Sequence, residues 1–380
     1  MPPSYTEELS LALRVIHTAS LLTKSVLRTL KNNVSAETKA DDSPVTIADF
    51  AAQAVIISAL RAAYPSDSFI GEESADQLRK NEDLAERVWQ LVQRANDFSA
   101  AGESRSSDVQ HVQRLGENMA LALPASKNEM LHVIDLGTST QTAEGRVWVL
   151  DPVDGTATFM TGNQYAVCLC LLVDGVQQVG VIGAPNLAFD TRGLLGQSRI
   201  HEEQVDGPGY GVVLSAVRGD GTYIRAMHAS GLGEARRTRH QQTARKELSA
   251  LDFIETTIGK TSLSQTEHQD VANCLSAKWP GTLLWSQQMK YVALALGATD
   301  VMVRLPKGKD RYTYVWDHAG GQLLFQEAGG IVKDLDGGDI DFAQGRKIEG
   351  YRNFGMVAAM PWAFDKVHEA AREVMSRRTR

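Results

Sequence analysis

The sequence predicts a layered fold of mixed class, α+β with α/β character. Three observations carry that expectation. Helical and strand patterns come in blocks, which favours stacked layers. Apolar runs such as Val147-Trp148-Val149-Leu150 read as buried strands. The chain has 380 residues, enough for one large domain or two ordinary ones.

The elements follow in order. Ser4 and Glu7 form a capping box, and Leu9, Leu13, Ile16, Ser20, Thr23, Leu27 and Leu30 keep a helical stripe behind it. Thr46 caps a second helix on which Phe50, Ala54 and Ile57 recur at helical spacing. Residues 75–95 read as an amphipathic helix through Leu84, Val88 and Leu91. Residues 96–128 are polar and are expected to form a mobile surface insertion. Strands then dominate, at 147–151, 165–173 and, after an Asp174-Gly175 turn, 176–183. A second set covers 210–218, 222–228, 252–257 and 299–304, with a helix over 286–297 between the last two. A helix begins near Asp317 and stops at Gly329-Gly330, and Pro361 opens a C-terminal helix with Val367, Ala371 and Val374 on one face. The Gly207-Pro208-Gly209-Tyr210-Gly211 run reads as an interdomain turn, giving an N-terminal α+β domain, 1–205, and a C-terminal α/β domain, 206–380.

Composition narrows the function. Hydrophobic content of 43% and charged content of 22% belong to soluble globular proteins. Net charge is −7, from 39 basic and 46 acidic residues, which argues against a nucleic-acid partner. No run approaches a membrane span and no signal peptide is recognisable, so no membrane partner and a cytoplasmic location are expected. Three cysteines, two of them Cys168 and Cys170 in one strand, suggest a reducing compartment and are all expected to fill the core. Arg236-Arg237-Thr238-Arg239-His240 reads as a solvated basic loop. The motifs of zinc proteases, serine hydrolases, Walker A loops and dinucleotide folds are missing.

The chemistry lies in four acidic motifs. In Asp151-Pro152-Val153-Asp154-Gly155-Thr156, two carboxylates stand where a buried strand ends. Pro152 forces a turn, Gly155 permits a tight backbone, and Thr156 opens a helix. Oxygen ligands for a hard cation and backbone N–H groups for a phosphate would then face one point. A strand-to-helix turn with an Asp cap is the plainer alternative. Gly71-Glu72-Glu73-Ser74 places two adjacent acids that a cation would relieve, or that a solvated loop would tolerate. Trp316-Asp317-His318-Ala319-Gly320-Gly321 places a carboxylate, or an ordinary N-cap, amid small residues suited to close packing. Ser43-Pro44-Val45-Thr46-Ile47-Ala48-Asp49 places an acid in the first turn of a helix, where acids are also commonplace.

Taken together with Gln164-Tyr165-Ala166-Val167-Cys168-Leu169, Ala216-Val217-Arg218-Gly219, Lys290-Tyr291 and Arg304-Leu305-Pro306, these motifs resemble a known family. It is that of the Mg²⁺-dependent, lithium-sensitive phosphatases that share a fold with inositol monophosphatase and fructose bisphosphatase. Within it, the chain resembles the fungal 3′(2′),5′-bisphosphate nucleotidases over nearly its whole length. The resemblance implies an α-β-α-β-α sandwich and a place in nucleotide metabolism and sulfur assimilation. It implies two to three Mg²⁺ ions. One would be held by Glu72, Asp151 and the Val153 carbonyl, a second by Asp151, Asp154 and Asp317, and a weaker third by Glu72 and water. Asp49 and Thr156 would orient and deprotonate the attacking water. Gly155 and Thr156 would offer amides to the phosphate.

On the substrate side the resemblance implies Lys260, Ser286, Gln287, Lys290 and Arg304. Lys290 and Arg304 match the family. Gln287 stands where it has a serine, with Ser286 beside it. Gly259-Lys260-Thr261-Ser262 replaces a histidine-bearing loop, and Ala157 and Thr161 replace a lysine and an arginine. The expected activity is hydrolysis of the 3′-phosphate of 3′-phosphoadenosine 5′-phosphate, and of its phosphosulfate, by a monomer or weak homo-oligomer inhibited by Li⁺. The alternatives are a phosphatase of an inositol phosphate or another small phosphorylated metabolite, and a non-hydrolytic binding paralogue.

Overall fold

In the computed structural model, residues 4–30, 37–38, 44–100, 120–193, 199–238, 247–256 and 261–379 are described. Lys260, Arg239 and His240 lie outside them, as does most of the 96–128 segment.

The chain first lays down Thr6–Leu30 and Ile47–Ala63, two long helices that pack on each other. The predicted helix over 75–95 is two helices, Asp76–Lys80 and Glu82–Gln93. Asn81 ends the first and caps the second, its side chain accepting from the Leu84 amide at 3.0 Å. Within the 96–128 segment, the helix Lys127–Leu136 begins, with Ser126 as its cap.

An eight-stranded sheet carries these helices. From one edge it runs Ser68–Gly71, Arg146–Asp154, Ala166–Val173, Val176–Ala184, Val212–Val217, Gly221–His228 and Arg236–Arg237, with Gly231–Leu232 beside the sixth. It continues past residue 205, so that position falls in a connection between neighbouring strands of one sheet. Side chains alternate between two cores. Trp148, Leu150, Val167 and Leu169 face the N-terminal helices, while Val149, Cys168, Cys170 and Leu172 face the other side.

On that other side lie the helices Gln287–Ala295 and Ala319–Glu327, then a five-stranded sheet ordered Thr282–Leu283, Phe253–Glu255, Val301–Arg304, Met356–Ala359 and Ile331–Lys333. The helices Gln265–Cys274 and Pro361–Ser376 cover its far face. The result is the helix–sheet–helix–sheet–helix stack that the family resemblance implies. Cys274 corrects the cysteine reading, because it is exposed at the end of its helix whereas Cys168 and Cys170 are buried.

Two close approaches set the middle layer. A Cβ on Gly180 would lie 3.0 Å from the Gly320 carbonyl, and one on Gly321 would lie 2.6 Å from the Tyr291 ring. Small residues after Asp317 therefore let its helix sit hard against the large sheet and against the helix Gln287–Ala295.

Candidate active site

Strand ends build the site. Ser68–Gly71 and Arg146–Asp154 are parallel neighbours with Gly71 opposite Leu150, so Glu72 leaves the sheet beside Asp151. Pro152 does not turn the chain, as the sequence suggested. The strand continues to Asp154 through a break in register between Asp151 and Asp154. A bulge accommodates the proline that cannot donate to the ladder, and it re-aims both carboxylates. Gly155 then takes a φ of +91° and Thr156 opens the short helix Thr156–Met160.

Asp317 comes from the second half of the chain, in a 3-10 turn before Ala319–Glu327. One oxygen each of Asp151, Asp154 and Asp317 lie within 4.8 Å of one another. Glu72 stands outside that group, at the rim of a cavity of about 460 Å³ that Trp316 and Arg346 also line. The charges press on each other. Burial, then Asp154 and Glu72, push the Asp317 carboxyl up to about 7. Burial raises the Asp154 carboxyl, against the hydrogen bonds from Ser286 and the Gln288 amide. Clustered acids with a backbone carbonyl nearby are the donors a hard divalent cation takes, so the residues present fit Mg²⁺.

Asp49 is fully buried and divides its oxygens between two tasks. Oδ2 accepts from the Thr46 amide at 2.9 Å and from the Thr46 hydroxyl, closing a capping box. Oδ1 faces the Thr156 hydroxyl at 3.3 Å, and that hydroxyl also lies 3.1 Å from the Val153 carbonyl. One side chain therefore both caps the helix and reaches the Thr156 hydroxyl.

The helix Gln287–Ala295 faces this cluster. Ser286 caps it, accepting from the Met289 amide at 3.0 Å, and donates to Asp154 Oδ2. Gln287 accepts from Arg304 through its side chain, and its amide donates to Asp154 Oδ1 at 3.3 Å. Lys290 is buried, with Nζ 3.5 Å from the Trp285 carbonyl. Burial and the Arg304 charge pull its amine down to about 8, against Glu255, Asp154 and Asp317. Arg304 also reaches Thr313 at 3.5 Å.

Two residues with no assigned role in the sequence analysis hold this together. Gln288 donates its amide to Asp154 at 2.6 Å and its side chain to the Trp316 carbonyl at 2.6 Å, and accepts from the Gly321 amide at 2.8 Å. It thus spans the Asp154 and Asp317 loops. Gln53 donates to the Glu73 carbonyl at 2.7 Å and accepts from the Glu73 amide at 3.0 Å, fixing the loop that carries Glu72. The available signal was a glutamine inside an otherwise apolar helix. Gln288→Leu is expected to leave two buried backbone groups unpaired, costing roughly 2–4 kcal/mol. Chemical denaturation would measure this; an unchanged midpoint would contradict it.

Comparison with known proteins adds the lineage. The profile of the Inositol monophosphatase family matches residues 5–91 and 102–373. The chain is 37% identical to a 3′(2′),5′-bisphosphate nucleotidase of Emericella nidulans, over 98% of this chain and 99% of that one. It is 36% identical to the enzyme of the same name from Schizosaccharomyces pombe, over 98% and 97%. Among solved structures, an extragenic suppressor protein suhB from Bartonella henselae superposes with a TM-score of 0.58 at 18% identity, covering 97% of this chain and 99% of that one. An inositol monophosphatase of Thermotoga maritima gives 0.56 at 16%, covering 98% and 99%. With that fold, an acidic cluster of Asp151, Asp154 and Asp317, and a profile match along nearly its whole length, the chain belongs to the inositol monophosphatase family.

Proposed function

We propose that this protein is a Mg²⁺-dependent phosphomonoesterase that removes the 3′-phosphate of 3′-phosphoadenosine 5′-phosphate, with the corresponding phosphosulfate as a second substrate. The observation that carries this reading is the meeting of Asp151, Asp154 and Asp317 within 4.8 Å, beside the Asp49–Thr156 pair. The name shared by the full-length fungal relatives supports the nucleotide. No described helix is long and apolar enough to cross a membrane.

Glu72, Asp151, the Val153 carbonyl, Asp154 and Asp317 are the residues that would hold two to three Mg²⁺. Bound there, the ions supply positive charge against the phosphate dianion and acidify water. The chain does the rest. Thr46 locks one oxygen of Asp49 and leaves the other aimed at Thr156. The Thr156 oxygen takes a proton from the attacking water as its own proton passes to Asp49. Ser286 and the Gln288 amide hold Asp154 in place while charge shifts around it. Lys290 and Arg304 present cationic groups on the side where the rest of the nucleotide would lie.

The test is phosphate release from 3′-phosphoadenosine 5′-phosphate with Mg²⁺. One phosphate per nucleotide and AMP as co-product are expected, with inhibition by millimolar Li⁺. No release at any Mg²⁺ concentration would end this reading. An inositol monophosphate belongs in the same panel, because Gln287 engages the Arg304 guanidinium and so alters the substrate side. A higher kcat/KM for it would replace the nucleotide as substrate.

A further inference from the structure

We propose that Arg346 is a positioning residue for the metal centre, one that holds the Glu72 loop and the Asp317 turn in register. The proposal rests on the metal reading above. Arg346 lies 275 residues from Gly71 and touches both loops. Its guanidinium donates to the Gly71 carbonyl at 2.9 Å, immediately before Glu72. It also donates to the Gly137 carbonyl at 2.8 Å and faces the Ser139 carbonyl at 3.4 Å. The same plane lies over the Trp316 ring, 4.6 Å from its centroid, immediately before Asp317. Its backbone carbonyl accepts from the Val315 amide at 2.9 Å.

Each contact has a physical reason. Gly137 closes the helix Lys127–Leu136, and a cation is favoured at a helix C-terminus. Gly137 also accepts from the Gly71 amide at 2.8 Å, so Arg346 grips a pair of segments that are already joined. Tyr314 stacks on Trp316 at 4.5 Å and 8°, which fixes the ring that the guanidinium meets. Gly345 brings the chain close. Its amide donates to Thr142 at 2.7 Å, and a Cβ there would lie 2.4 Å from the Thr140 carbonyl. Gln53 holds the Glu73 side of the acidic loop, while Arg346 holds the Gly71 side and ties it to Asp317. A lysine has neither the planar fork for two carbonyls nor a plane to stack.

The experiment measures Mn²⁺ binding to the purified full chain by the electron paramagnetic resonance of free Mn²⁺, without turnover. Arg346→Met and Arg346→Lys are each expected to raise the dissociation constant by about tenfold or more, the methionine further, because ligand loops lose their fixed spacing. At saturating Mg²⁺ the KM for 3′-phosphoadenosine 5′-phosphate should stay within about twofold of wild type, since substrate contacts lie elsewhere. Lys347→Met removes a neighbouring cation from the same cavity and should leave the Mn²⁺ curve in place. Mn²⁺ curves for both Arg346 variants that superpose on wild type would overturn the proposal. So would a shift as large in Lys347→Met, which would mean that bulk charge is responsible. If Arg346→Met does not fold, by circular dichroism, the Arg346→Lys curve decides in the same way. No Mn²⁺ binding by wild type would sink the metal reading, and this proposal with it.

Discussion

Asp49→Asn is expected to lower kcat by about a thousandfold while leaving nucleotide affinity nearly intact. The carboxylate accepts on both oxygens, from Thr46 on one and from Thr156 on the other. An asparagine has one accepting oxygen, and its NH₂ group presents hydrogens where an acceptor is needed. One of the two contacts must fail. If the capping box survives, Thr156 loses the partner that takes its proton, and the water loses its route to a base. If Thr156 is kept, the helix Ile47–Ala63 loses part of its cap, at a cost of about 1 kcal/mol. Either way no carboxylate is left to take the Thr156 proton, because an amide oxygen accepts a hydrogen bond but is not a base, whereas Lys290 and Arg304 are untouched. Steady-state kinetics with isothermal titration of nucleotide separates the two quantities. Turnover at the wild-type rate in this variant would remove Asp49 from the mechanism.

Asp317→Asn should separate stability from activity. In metal-free protein the Asp317 carboxyl is pushed up to about 7, first by burial and then by Asp154 and Glu72. A group whose folded pKa exceeds its unfolded value of about 4 binds its proton more tightly in the folded state. Its presence therefore destabilises the metal-free fold progressively as pH rises from about 4 to about 7, after which the penalty is constant. Asparagine carries no such charge. At pH 8 in EDTA the variant is expected to be more stable than wild type by ~2–4 kcal/mol, with the difference shrinking as pH falls toward 4. In Mg²⁺ the order narrows or reverses, because wild type gains the binding free energy of ions that the variant holds weakly. Activity should fall on the order of a thousandfold, since a carboxylate of the three-acid cluster is gone. Thermal melts with and without Mg²⁺ across pH read all of this. A variant that melts below wild type in EDTA at pH 8 would show that the charged, buried Asp317 carboxylate carries no such penalty.

Much of this site was legible before any coordinates. Asp151, Asp154 and Thr156 sit within six residues, so the local chain already brings them close. Glu72 and Asp317 each sit beside glycine and small residues at the end of an apolar run. What failed was local detail. Pro152 looked like a turn because a proline breaks a regular ladder, and periodicity does not register a bulge that absorbs it. Residues 75–95 looked like one helix because the stripe of Leu84, Val88 and Leu91 extrapolates back across the polar run 79–83, where the Asn81 side chain caps a new start. The polar 96–128 segment hid the helix Lys127–Leu136, whose buried residues Met130, Val133 and Ile134 come after the stretch that set its polar character.

The chain alone determined its composition class and a layered arrangement of helices and strands, because periodicity is a local property; the acids were singled out only by the order of their motifs and the family resemblance it carries. The folded molecule decided which distant groups share a contact. Gln288 bridges Asp154 to Trp316, Gln53 clamps Glu73, and Arg346 joins Gly71 to Trp316. A glutamine or arginine in a sequence carries no mark of the carbonyl it will meet. Its partner is chosen by the packing of segments that lie from 20 to 275 residues apart, and only that packing makes an unpaired buried polar group costly enough to demand one.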